Sequence, residues 1–121
     1  MISPKRLTAS FRAALRGLGI VIREENSFRV QLVAALAVFV FVAIIPLATW
    51  EAVALSMMAV LVLVLEVLNT VFERLVDMMK PRISPYVGAI KDMLSAAVLI
   101  ASVGAVVIGC VILWPYFIRG F

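Results

Sequence analysis

Three observations predict an all-α membrane protein with an N-terminal amphipathic surface helix followed by three transmembrane helices. Of the 121 residues, 65% are hydrophobic and only 15% are charged, well outside the balance of soluble domains, which run near half apolar and a quarter charged. Long uncharged runs recur at lengths that can cross a bilayer. The basic residues are also unevenly distributed along the chain. The length allows one domain, residues 1–121. One cysteine and no histidine exclude a disulfide framework, a Cys/His zinc site and any histidine-based triad. Chemistry in this chain must therefore run on carboxylates, amines, amides and hydroxyls.

The first element is a basic amphipathic helix expected over about residues 4–26. Leu7, Phe11, Ala14, Leu15, Leu18 and Ile22 recur at three- and four-residue steps, with Lys5, Arg6, Arg12, Arg16 and Arg23 largely between them. Such a helix lies in the membrane interface. A signal peptide does not fit, because the following apolar run is too long and carries no small-residue cleavage site. Span one is expected over about residues 29–49, closed by Pro46 and the Trp50-Glu51 pair. Span two, about residues 52–79, is uncharged as far as Leu65 and then meets Glu66. Span three, about residues 89–116, carries Ala97, Ala101, Ala105 and Gly109 at every fourth position. Small faces of that kind let helices approach closely and favour oligomers. Trp114 and Tyr116 form an aromatic interfacial end, and Cys110, deep in the span, reads as an inert packing residue.

The charge asymmetry orients the chain. Ten of the eleven Lys and Arg (Lys5, Arg6, Arg12, Arg16, Arg23, Arg29, Arg74, Lys80, Arg82 and Lys91) precede span one or lie between spans two and three; only Arg119 follows span three. The positive-inside rule then puts the N-terminus in the cytoplasm and the C-terminus outside. The net charge of +4 belongs to an anionic leaflet, and nucleic acid is not an expected partner, since no basic–aromatic platform accompanies it.

Span two holds the polar residues that do not belong in a membrane. Glu66, Asn69, Glu73 and Asp77 fall on one face of a helix turning about 100° per residue, opposite Val67, Leu68, Val71, Phe72 and Leu75. The run before Glu66 rises only about 21 Å at about 1.5 Å per residue, so Glu66 sits inside the hydrocarbon near its cytoplasmic side. An ionisable group there costs about 2.5–3.5 kcal/mol on insertion scales and is a functional candidate by default. A packing pair would account for Glu66 alone but not for three acids on one face. Glu25 lies where the surface helix meets span one, and Lys91-Asp92 open span three on the same side. Carboxylates without histidine suit a hard cation such as Mg²⁺, which usually arrives with substrate phosphates. A neighbouring lysine would neutralise charge on a transferring phosphoryl group. No phosphate-binding loop, dinucleotide fingerprint or protein-kinase motif set is present. A small oligomeric transporter with Glu66 as coupling carboxylate is the alternative, but it leaves Glu25, Glu73, Asp77, Lys91 and Asp92 unexplained. A purely structural subunit leaves the whole stripe unexplained.

These residues also carry a resemblance. Glu66-Val-Leu-Asn69-Thr70-Val-Phe-Glu73-Arg-Leu-Val-Asp77 is similar to the E-x-[LI]-N-[ST]-x-x-E-x-x-x-D signature of the prokaryotic diacylglycerol kinase and undecaprenol kinase family. Ala89-Ile-Lys91-Asp92-Met-Leu-Ser95-Ala96-Ala97-Val98-Leu99 resembles its second signature, A-K-D-x-x-[SA]-[AG]-A-V-L, with Ile90 where alanine is frequent. Ser10-Phe11-x-x-Ala14-x-x-Gly17-Leu18 and Glu25-Asn-Ser-Phe28-Arg29 look like its N-terminal pattern, and the likeness covers nearly the whole chain. The resemblance implies a homotrimeric helical bundle in the inner membrane of a prokaryote, with active sites shared between subunits. It implies transfer of the ATP γ-phosphoryl to a lipid alcohol, undecaprenol or diacylglycerol, with Mg²⁺. Glu66 would be the general base, Asn69 would orient it or the substrate, and Lys91 would contact the γ-phosphate. Glu25 and Glu73 would hold metal, while Asp77 and Asp92, with Lys91, would organise the nucleotide. The Leu68-Asn69-Thr70 spelling and the Asn-Ser-Phe-Arg-Val-Gln entry to span one look closer to the undecaprenol branch.

Overall fold

In the computed structural model, which describes residues 3–79 and 85–120, the chain folds into four helices: α1 (Pro4–Glu24), α2 (Asn26–Ile44), α3 (Thr49–Met79) and α4 (Pro85–Arg119). Each boundary has a local cause. The Ser3 hydroxyl accepts from the Arg6 N–H at 3.2 Å and Pro4 occupies the first turn, where its missing N–H costs nothing. Between α1 and α2 the backbone breaks at a single residue, Glu25, which is extended (φ −115°, ψ 108°) while its N–H still bonds the Val21 carbonyl at 2.9 Å. The carbonyls left over at the α1 C-terminus are capped by Arg29, whose guanidinium donates to Ile22 O at 3.0 Å and Arg23 O at 2.8 Å.

Pro46 ends α2 earlier than residue 49. A proline pushes the preceding residue out of the helical region, and Ile45 is extended at φ −88°, ψ 136°. The Trp50-Glu51 pair therefore opens α3 rather than closing α2. Glu51 explains the new start, because its carboxylate accepts from the Ala48 N–H at 2.9 Å and so caps the first turn of α3. At the far end α4 begins at Pro85, nearly two turns before the Lys91-Asp92 pair expected to open it.

α3 is the central helix and packs on both α2 and α4; α1 touches α2 over a short stretch near their junction. The interior is thin. Phe28, Ala35, Leu55, Ala59, Val62, Val76 and Ile112 form most of it, and Phe41 meets Phe117 edge-to-face at 5.9 Å. Most other large apolar side chains of α2, α3 and α4 face outward, and all three helices are long and apolar enough to cross a bilayer. Leu7, Phe11, Leu15 and Leu18 of α1 are likewise exposed, which gives that helix an apolar face for the interface. Cys110 is exposed rather than packed, because α4 buries so little of its circumference. The expected cytoplasmic charges Lys80 and Arg82 lie outside the described residues.

The length of α3 sets the depth of its polar residues. Its 31 residues rise about 46 Å, against a hydrocarbon core of about 30 Å. Counted from Glu51, the hydrocarbon ends near residue 71. Glu66 is then about one and a half turns inside, and Glu73 and Asp77 emerge into the headgroup layer.

Candidate active site

The packing face of α3 runs Leu55, Ala59, Val62 and then, without changing direction, Glu66 and Thr70. Glu66 is 6% exposed and Thr70 4%. A carboxylate thus continues an apolar ridge at the point where α2 and α1 meet. Thr70 places its hydroxyl harmlessly by donating to the Glu66 carbonyl at 3.0 Å, the back-bond that lets a hydroxyl sit in a buried helix.

The half-buried residues beside that ridge form the polar wall. Asn69 Nδ2 donates to Glu73 Oε1 at 3.3 Å, one turn along. The other end of the amide, Oδ1, is buried without a hydrogen-bond partner among the described residues. Leaving such an acceptor unmade costs about 1–3 kcal/mol, and native structures hold few of them. Glu25 enters from the opposite side. Its extended backbone at the α1–α2 break aims the side chain at α3, where it accepts from Arg74 at 3.2 Å; Glu24 adds a second contact to the same guanidinium at 3.6 Å. Glu25 and Glu73 both lie within electrostatic reach of Glu66. The break, the ridge and the wall therefore bring Glu25, Glu66, Asn69 and Glu73 to one place.

The remaining predicted residues are arranged differently. Asp77 is exposed on the last turns of α3. On α4, Lys91 is half-buried and Asp92 exposed, and Lys91 makes no ion pair with the α3 acids among the described residues. The Lys91 carbonyl accepts from Ser95 Oγ at 3.2 Å. One chain thus assembles the carboxylate half of the site, while the lysine half remains on α4. Sequence reasoning counted Arg74 only as a topology charge and gave it no place in the site. It follows Glu73 directly, but its partners Glu24 and Glu25 lie about fifty residues away, so local spacing carries no signal of the pairing.

Among the described residues no three acidic, histidine or cysteine side chains form a metal cage. The donors that do gather are of the type Mg²⁺ takes: the carboxylates of Glu25, Glu66 and Glu73 and an amide oxygen without a hydrogen-bond partner among the described residues, all hard oxygens. Mg²⁺ is usually held by one or two carboxylates plus substrate phosphates.

Residues 12–113, which include every one of these side chains, match the family described as prokaryotic diacylglycerol kinase. The chain belongs to that family. It is 35% identical over 102 residues to the diacylglycerol kinase of Escherichia coli strain K12, covering 84% of each chain, and equally so to that of Shigella flexneri. It is 31% identical over 110 residues to the diacylglycerol kinase of Synechocystis sp. strain PCC 6803, covering 90% of this chain and 63% of that one. Family membership and the three apolar helices make this chain an integral membrane lipid kinase.

Proposed function

We propose that the chain transfers the γ-phosphoryl of ATP to the hydroxyl of a membrane lipid alcohol, with Glu66 as general base and its active-site end facing the cytoplasm. The observation that carries this reading is the buried carboxylate at the end of the α3 ridge, walled by Asn69 and Glu73 and faced by Glu25. Glu66 accepts the hydroxyl proton as the lipid oxygen bonds to the γ-phosphorus, and the bond from that phosphorus to the bridging oxygen breaks to release ADP. Asn69, whose Oδ1 has no hydrogen-bond partner among the described residues, orients Glu66 or the lipid hydroxyl. Glu25 and Glu73 hold Mg²⁺, which neutralises phosphate charge when bound. Lys91 contacts the γ-phosphate, and Asp77 and Asp92 organise the nucleotide. Transfer of this kind needs mainly positioning and charge neutralisation, which a small helical scaffold can supply.

The lipid has a route to Glu66. An apolar groove between α2, α3 and α4 runs from Gln31, Val62 and Ser102 to Trp114 and Phe117, and Val62 lies one turn from Glu66. A tail in that groove leaves a head at the carboxylate. The names of the relatives favour diacylglycerol; the spelling of residues 68–70 favours undecaprenol. A homotrimer completes the reading, because a second subunit can bring Lys91 to the carboxylates of the first. The test is ³²P transfer from γ-labelled ATP by purified protein, with diacylglycerol and undecaprenol side by side. Labelled lipid from one of them is expected; none from either, with the protein still oligomeric, contradicts the reading.

A further inference from the structure

Arg74 is held against Glu25, one of the two carboxylates that the proposed function gives to the metal. It lies on the residue after Glu73, lines a groove between α1 and α3 with Val67 and Thr70, and leaves 44% of its side chain exposed. Its guanidinium is 3.2 Å from Glu25 Oε1 and 3.6 Å from Glu24 Oε1. The nearby cation Arg29 is differently used, because its guanidinium is spent on the carbonyls of Ile22 and Arg23. Lys91 belongs to α4. Among the described residues, Arg74 is therefore the cation paired with the carboxylates between α1 and α3.

Two facts about this pair point the same way. Glu25 is one of the two carboxylates given to the metal, so guanidinium and metal compete for it. The pair is half-exposed, and exposed pairs of this kind contribute little, about 0–1 kcal/mol. A phosphate is a better partner, since its oxygens match the planar fork of an arginine and carry more charge than a carboxylate. Arg74 can thus leave Glu25 cheaply and gain by doing so.

We propose that Arg74 is a phosphate-binding residue of this kinase that shares Glu25 with the metal: it pairs with Glu24 and Glu25 and passes to phosphate oxygens as the metal takes Glu25. The proposal rests on the reading that Glu25 holds metal and that a phosphate ligand binds beside it. It differs from a structural role for Arg74 in one respect: metal affinity and phosphate affinity respond to substitution in opposite directions.

The test uses the full chain in detergent micelles and two variants, R74Q and R74K. Mn²⁺ alone, followed by electron paramagnetic resonance, reports the metal. A non-hydrolysable ATP analogue with Mg²⁺, followed by calorimetry, reports the nucleotide, and micelles containing phosphatidate report a lipid phosphate. In R74Q, Mn²⁺ binding is expected to tighten about two- to fivefold, the factor set by losing a half-exposed pair. Nucleotide binding is expected to weaken about tenfold or more, as for a lost hydrogen bond to a charged group. If phosphatidate binding falls instead by that factor, the phosphate is that of the lipid. R74K restores wild-type metal affinity and part of the phosphate affinity. Metal and phosphate affinities that fall together, or that both stay unchanged in R74Q, overturn the proposal. E25Q separates the two levels: if Mn²⁺ binding is unchanged in E25Q, the metal assignment of Glu25 fails and the proposal fails with it.

Discussion

The two ends of α3 carry the same chemical group in opposite circumstances. At its start, Glu51 accepts from the Ala48 N–H at 2.9 Å and from the Tyr116 hydroxyl of α4, so the carboxylate is satisfied by the fold itself. It caps a helix and ties α3 to α4. Toward its other end, Glu66 sits buried beside two further carboxylates, an amide oxygen has no partner among the described residues, and the Arg74 guanidinium is held by a half-exposed pair. A structural carboxylate closes its hydrogen bonds locally. A reactive one is left with neighbours that make sense only when a ligand enters. The difference lies in whether the surrounding groups are complete, since burial or charge alone would rank both ends as unusual.

That comparison can be broken by substitution, and the largest effect is expected at Glu66. Glu66→Gln removes the proton acceptor and should lower phosphoryl transfer by about 10²–10⁴-fold, the range for a positioned general base, while nucleotide binding persists. Glu73→Gln should weaken binding of the Mg²⁺ complex of an ATP analogue by about tenfold, read by calorimetry, because it removes one charged donor and the acceptor for Asn69. Asn69→Leu should separate stability from activity. Replacing a buried, half-satisfied amide by an apolar side chain of similar size is expected to leave thermal unfolding in detergent unchanged or raised, while transfer falls at least tenfold. A lowered midpoint would mean that Asn69 serves the fold. The smallest effect belongs to the other end: Tyr116→Phe should cost about 0.5–1.5 kcal/mol of stability through the lost bond to Glu51, with transfer rates unchanged.

Much of this was legible in the chain. Uncharged runs gave the number of spans, and the spacing of Glu66, Asn69, Glu73 and Asp77 gave the polar face, because helical periodicity is a local property. The α2–α3 junction was misplaced since two signals competed there. The Trp50-Glu51 pair reads as the end of a span, but Pro46 acts first on the backbone, and Glu51 then caps the helix that follows. Within the site, periodicity put Glu66 and Asp77 on the same stripe. Packing divides them, so that Glu66 is buried against neighbouring helices and Asp77 is exposed beyond the hydrocarbon. The role of Arg74 was hidden for a different reason. Its partners Glu24 and Glu25 lie about fifty residues away, and only the break at Glu25 brings them to it. The Gln31–Ser102 contact at 3.4 Å and the Glu51–Tyr116 bond are long-range for the same reason, and sequence spacing carries no trace of them.

The most direct measurement makes one substitution at both ends of the helix. Glu66→Gln and Glu51→Gln change the same atoms by the same amount, and each variant is assayed for single-turnover transfer from γ-labelled ATP, nucleotide binding and thermal midpoint in the same micelles. Glu66→Gln is predicted to lose transfer by at least a hundredfold with nucleotide binding retained within about threefold, whereas Glu51→Gln keeps transfer and lowers the midpoint. Transfer by Glu66→Gln within tenfold of the unsubstituted protein, or equal losses from both variants, would contradict the assignment of the chemistry to Glu66.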